Sequence, residues 1–265
     1  MKRKRSFLFS IPAALLSLIL CWSLTRALMI VIPQKREDSA FETLKQSVQP
    51  PAKTREPSAG DAPAATEAEA DGEAAEYPYA PLAEVNADFV GWLSVADTEI
   101  DYPVMKPPED DPERYLRRDF YGRPSLSGCL FIGALCNADS EAFIIYGHNM
   151  NTGTMFGALD RYADYDYALS HPDIVFRVPD GERVYRVFAA FQTKVYAERD
   201  DVFKYYEAIG TLGRDEYGRT VDAVRSMSLP SLPFAPAYPQ QLLFLSTCSS
   251  HTANGRFVVA AYRIA

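Results

Sequence analysis

The sequence predicts a mainly β domain, a barrel or sandwich with helical insertions, and three observations lead there. From Tyr79 onward, short runs rich in β-branched and aromatic residues recur along the chain. Gly, Pro, Asp and Asn separate them, the residues that turns require. Helical periodicity interrupts this pattern only twice.

The elements follow in order. Asn86 to Gly91 reads as a capped helical turn, and Trp92–Val95 and Ile100–Val104 as short strands. Further strand-like runs are Cys129–Ile132, Ala142–Tyr146, Ile174–Val178, Val184–Thr193, Gln241–Ser246 and Arg256–Arg263. Asp180-Gly181 joins two of them as a hairpin turn. One helical pattern covers Thr154–Leu169. The other covers Asp215–Met227, where Val221, Val224 and Met227 fall on one face.

The N-terminal part is of a different kind. Lys2, Arg3, Lys4 and Arg5 precede an apolar stretch from Phe7 to Ile32, long enough in helical form to cross a bilayer. A basic cluster before such a stretch stays cytoplasmic and places the following chain outside. No small-x-small cleavage site follows, which favours an uncleaved anchor over a signal peptide. Leu18-Ile19-Leu20 lack the small residue expected before a lipidated cysteine, so Cys21 does not mark a lipoprotein. Glu56 to Ala80 holds seven acids and no base among many Ala and Pro, and reads as a flexible linker. Phe41 to Val48, within that linker region, has the pattern of a short helix. The expected organisation is a basic tail and anchor over 1–36, a linker over 37–79 and a globular domain over 80–265. The net charge of −8 argues against a nucleic-acid binder, because phosphate backbones demand clustered Lys and Arg.

Four cysteines are present, Cys21, Cys129, Cys136 and Cys248. Outside the apolar stretch three remain, so at least one thiol stays free whether or not Cys129 and Cys136 form a disulfide. Cys248 ends the apolar run Leu242-Leu243-Phe244-Leu245 and opens a polar loop from Ser249 to Gly255. A thiol there stands at a strand rim, held rigidly yet open to a substrate. His148 occupies the matching position after Phe143-Ile144-Ile145-Tyr146 and Gly147, and its titration range suits proton transfer near neutrality. His171 precedes Pro172 in a turn and reads as structural, while His251 lies in the loop after Cys248 and competes with His148. Arg256 begins the last strand, eight residues after Cys248, where an antiparallel return brings its guanidinium to the thiol. Its permanent charge could favour a thiolate or stabilise an oxyanion. A metal site from Cys129, Cys136 and His148 lacks any paired Cys-x-x-Cys spacing, and no cofactor motif is present.

These residues meet a known pattern. Leu245-Ser246-Thr247-Cys248 followed by Arg256 resembles the active-site signature of sortases, and Tyr146-Gly147-His148-Asn149-Met150 resembles their histidine motif. Asn86 to Trp92, Ile100 to Val104 and Met155-Phe156-Gly157-Ala158-Leu159 are similar to class B members in particular. The resemblance implies a closed eight-stranded β-barrel with a helix before it and another between the strand pair preceding the cysteine. It implies catalytic roles for Cys248, His148 and Arg256, and Ser246, Thr247 and Asn149 stand as candidates to contact substrate. One departure is visible: Gly128-Cys129-Leu130-Phe131-Ile132-Gly133 stands where class B members often read Gly-Ser-x-Phe-x-Asp. The expected partners are secreted proteins bearing a sorting signal, and a peptidoglycan or pilin amine as acceptor. The expected location is the cell membrane, with the catalytic domain extracellular. Two rival readings are a secreted cysteine peptidase of cell-wall hydrolase type and a non-catalytic binding module. Such peptidases usually place Cys before His at a helix start, the reverse of the order here.

Overall fold

The computed structural model describes residues 20–23, 41–46, 77–249 and 252–265. The chain divides into two compact units, Met1–Ser47 and Val48–Ala265. In the first, residues 20–23 and 41–46 are helical. Among the described residues no helix is long and apolar enough to cross a membrane. The stretch expected to do so, Phe7 to Ile32, lies outside the described residues apart from 20–23.

The second unit is built around a closed barrel. Its strands are β1 (Phe89–Val95), β2 (Asp101–Met105), β3 (Leu130–Ile132), β4 (Ala142–Tyr146), β5 (Asp173–Val178), β6 (Gly181–Lys194), β7 (Leu242–Cys248) and β8 (Gly255–Arg263). They close in the order β1-β2-β3-β4-β7-β8-β6-β5. β7 therefore lies between β4, to which it is parallel, and β8, to which it is antiparallel. The helices are α1 (Ala80–Val85), α2 (Tyr165–Ser170) and α3 (Arg214–Met227). The eight-stranded barrel, the helix before it and the helix between β6 and β7 agree with the expected fold.

Side chains alternate across the barrel wall, as the period of a strand requires. Phe143 of β4 points inward, where its ring meets Phe176 of β5 and Tyr185 of β6. The alternate positions, Ala142, Ile144, Leu242, Phe244, Val258 and Ala260, face outward into a second apolar cluster. There Val221 and Val224 of α3 cover them, with Tyr205 and Leu212 from the segment between β6 and α3. That segment is laced to the start of β4 by paired Gly210 and Ala142 backbone bonds and by the Leu212 N–H to the Glu141 carboxylate, 2.6 Å.

Two expectations are corrected. Asn86–Gly91 is not a helical turn: the helix precedes it, with Pro81 in its first turn, and Asn86 caps its end. The Asn86 side chain accepts from the Asp88 N–H and donates to Phe120 O and Tyr115 Oη, which turns the chain into β1. Thr154–Leu169 is not one helix but turns, a 3-10 stretch at Leu159–Ala163, and then α2. Asp164 breaks it, because its extended backbone lets the side chain cap α2 at the Tyr167 N–H, 2.8 Å. Cys129 and Cys136 are buried free thiols, and the Cys136 sulfur accepts from the Ile144 N–H.

Candidate active site

Cys248 is the last residue of β7 and its side chain is exposed. The antiparallel register sets it directly opposite Arg256, the second residue of β8. Paired residues share a face, so thiol and guanidinium both stand on the outer side of the wall. Arg256 Nη1 donates to its own strand end, at Gly255 O (3.0 Å), and more weakly to Asn254 O. Among the described residues it has no carboxylate partner, so most of its fork is left to act on something else. Its charge reaches two neighbouring phenols. Burial pushes Tyr205 up to about 12, and Arg256 acts to hold that rise down; Tyr146 is raised in the same way.

His148 arrives from the other side of β7. Tyr146 pairs with Ser246 in the parallel register, and the Gly147 N–H donates to Ser246 O at 3.2 Å. Two residues beyond each partner come His148 and Cys248, which carries both to the same rim. Gly147 is required by close approach: a Cβ there would lie 2.5 Å from Leu130 Cδ2 and 2.6 Å from Phe156 Cδ2. The chain after His148 folds back, with the Phe156 N–H on His148 O. The ring is half-buried and its Nε2 lies 2.7 Å from Leu116 O. A carbonyl can only accept, so Nε2 carries the hydrogen and Nδ1 is left as the basic nitrogen. Burial lowers the His148 pKa, the Leu116 carbonyl opposes that, and the Arg117 charge adds to it. Near neutral pH the ring is therefore largely uncharged.

The other expected residues are placed differently. Asn149 ties the two loops together, donating to Cys248 O (3.0 Å) and to the Asp160 carboxylate (3.1 Å). Ser246 and Thr247, the candidates for substrate contact, are 1 % and 2 % exposed and buried in the wall. Ser246 instead bonds the Tyr205 hydroxyl at 2.7 Å, beneath the Cys248–Arg256 pair. Thr247 faces the opposite side of the wall. His171 bonds Tyr167 O and stacks on the Tyr167 ring, a structural place, while His251 lies outside the described residues. Sequence reasoning missed Tyr205 and the turn at Arg114–Leu116, neither of which carries a local signal.

Three adjacent strands thus deliver a thiol, an imidazole and a guanidinium to one rim. The sortase domain family matches residues 93–264, a span that contains all three. The chain belongs to the sortase family. Among curated relatives it is 28% identical to sortase B of Listeria monocytogenes over 182 residues, covering 67% of this chain and 70% of that protein. It is 26% identical to sortase B of Staphylococcus aureus, covering 68% and 72%. In fold, this sortase resembles the S. aureus sortase B–substrate complex, with a TM-score of 0.70, 22% identity, and coverage of 88% of this chain and 98% of that one. The chain is a cysteine transpeptidase of the class B type.

Proposed function

We propose that this sortase is anchored in the cell membrane by its N-terminal apolar stretch and joins secreted proteins to a cell-wall amine outside the cell. The observation that carries the reading is the meeting of Cys248, His148 and Arg256 at the ends of β7, β4 and β8. Cys248 attacks the carbonyl at the scissile bond of a sorting signal, and neutral His148 takes its proton at Nδ1. The resulting imidazolium protonates the leaving amine as the C–N bond breaks. Arg256, with backbone N–H groups, stabilises the tetrahedral oxyanion. A peptidoglycan amine then resolves the thioester, with His148 accepting its proton and returning one to sulfur. A tether suits this chemistry, because confining enzyme and substrates to one membrane face raises their effective concentration. The S. aureus sortase B was solved in complex with a substrate, which is in keeping with a substrate-binding role for this protein.

The test is mass spectrometry of the protein after exposure to a library of sorting-signal peptides. A thioacyl adduct is expected on Cys248 of the wild type and on no residue of Cys248→Ala. An adduct on another cysteine, or none with any peptide, would overturn the assignment.

A further inference from the structure

We propose that Tyr115 is a positioning residue for transpeptidation: gripped by Asn86 and Asp88, it fixes the turn whose Leu116 carbonyl aims the His148 ring. This rests on the transpeptidase reading and adds the element that orients its base. A catalytic base is effective when a third group holds it in one orientation. Here that group is a main-chain carbonyl, 2.7 Å from His148 Nε2. A carbonyl has no rotamer of its own, so its aim is the aim of the turn that carries it. The turn, Arg114–Leu116, is a single 3-10 stretch, with the Leu116 N–H on Glu113 O at 2.9 Å. So short a turn does not hold its shape alone and depends on anchors outside it.

The anchors converge on Tyr115, a buried residue. Its hydroxyl donates to the Asp88 carboxylate at 2.8 Å and accepts from the Asn86 amide at 3.0 Å. Asn86 gives its other N–H to Phe120 O, 2.6 Å, and so grips the chain on both sides of Leu116. The Asn86 oxygen accepts from the Asp88 N–H, which ties the two partners to each other. From the opposite direction, the Cys129 N–H donates to Tyr115 O at 2.9 Å. Gly128 allows that approach: at φ 61°, it lies where a Cβ would strike the Tyr115 carbonyl and stand 2.8 Å from Leu116 O.

The stretch from Asn86 to Trp92, which stood out in the sequence, thereby reaches the imidazole through one phenol. Arg117 supplies the charge that acts on the ring, so Asp88 serves as an acceptor rather than as a charge. An acceptor role and a charge role part company in Asp88→Asn, which keeps an oxygen for the phenol and loses the charge.

The experiment measures single-turnover thioacyl formation on Cys248 against peptide concentration, together with NMR spectra of the histidine-labelled enzyme. In wild type the His148 Nε2–H proton should be visible and slow to exchange, and His148→Gln assigns it by its loss. Tyr115→Phe should lower the saturating rate about 10- to 100-fold, as for a misplaced catalytic group, and leave the half-saturating peptide concentration unchanged. The same variant should lose the slow Nε2–H signal. Asp88→Ala should behave like Tyr115→Phe, whereas Asp88→Asn should keep both the rate and the signal. Tyr185→Phe is the control, since it removes a buried hydroxyl bonded to Gln241 at 2.6 Å, beside the start of β7 and away from Cys248. It should keep both as well. A wild-type rate in Tyr115→Phe overturns the assignment, and so does a slower rate with the slow Nε2–H signal retained. An equal fall in Tyr185→Phe, or a fall in Asp88→Asn as large as in Asp88→Ala, also overturns it. If Tyr115→Phe does not fold, Asp88→Ala is read in its place against the same outcomes. If wild type forms no thioacyl enzyme, the transpeptidase reading fails, and the Nε2–H signal alone still decides whether Tyr115 holds the ring.

Discussion

Arg256 pairs with Cys248 across an antiparallel register, and its proposed work depends on the shape of its head group as much as its charge. Nη1 already serves Gly255 O, so catalysis must use the remaining nitrogens of a planar fork. A lysine keeps the charge but cannot hold the strand end and an oxyanion at once. Arg256→Lys should therefore lower the single-turnover acylation rate by about 100-fold or more, the usual cost of an oxyanion donor. Near-full kcat in that variant would reduce Arg256 to a structural charge. The imidazole makes a separate demand on pH. Burial holds the His148 pKa below its ordinary value, so the unfolded chain binds the more protons wherever the two states differ. The sign follows: this contribution to stability is present above about pH 6.5 and is lost as pH falls through the folded value. Acylation should decline over the same acid range, because a protonated ring cannot take the thiol proton. Melting curves of wild type and His148→Ala between pH 7.5 and 5 should show wild type losing more stability on acidification. A difference that stays flat would mean the ring is not buried as described.

At the scale of elements, β7 is held in place from its outer side. The Tyr205 hydroxyl reaches from the segment between β6 and α3 to Ser246, two residues before the thiol. Both groups are buried, so removing one strands the other without water. Tyr205→Phe should cost about 1–3 kcal/mol of stability. Ser246→Ala should cost a similar amount, while the double variant should cost less than the sum, because no unpaired hydroxyl remains. Denaturant titration of the three variants checks this, and strict additivity would refute the coupling. The pair also marks where legibility in the sequence ends. The strands were readable because Leu242–Leu245 and Phe143–Tyr146 are apolar runs ending in polar loops, and Cys248 and His148 stand at those ends. The parallel pairing of β4 with β7 was not readable, since the strands are almost a hundred residues apart and only tertiary closure sets their register. Tyr205 was hidden for the same reason: its residue type is common here, and its meaning comes from the strand beneath it. The burial of Ser246 and Thr247 was not readable either, because a motif shows adjacency to the thiol, not which side of the wall each side chain takes.

For the whole molecule, the question is where the catalytic unit must begin, and its packing answers it. Tyr77 donates its hydroxyl to Arg177 O of β5 at 3.2 Å, and the Tyr79 ring stacks on Trp92 of β1 with centroids 5.0 Å apart. Leu82 of α1 is 3 % exposed, and Asn86 bonds to Asp88, Tyr115 and Phe120 beyond it. The chain from Tyr77 is thus fastened across β1, β5 and the loop that carries the His148 anchor. A protein starting at Tyr77 keeps every one of these contacts. It should be soluble, fold cooperatively, and acylate a soluble peptide at the rate of the full chain. Starting instead at Asn86 removes the Tyr79–Trp92 stack and the buried Leu82. Those losses are worth about 0.5–1.5 kcal/mol for the aromatic pair and about 1.5–3 kcal/mol for the leucine. The shorter protein should therefore melt several degrees lower, with its catalytic residues untouched. Comparing melting temperature and acylation rate of the two proteins decides the matter. Equal stability would show that Tyr77 to Val85 only decorates the barrel, and inactivity of the longer one would show that residues before Tyr77 belong to the catalytic unit.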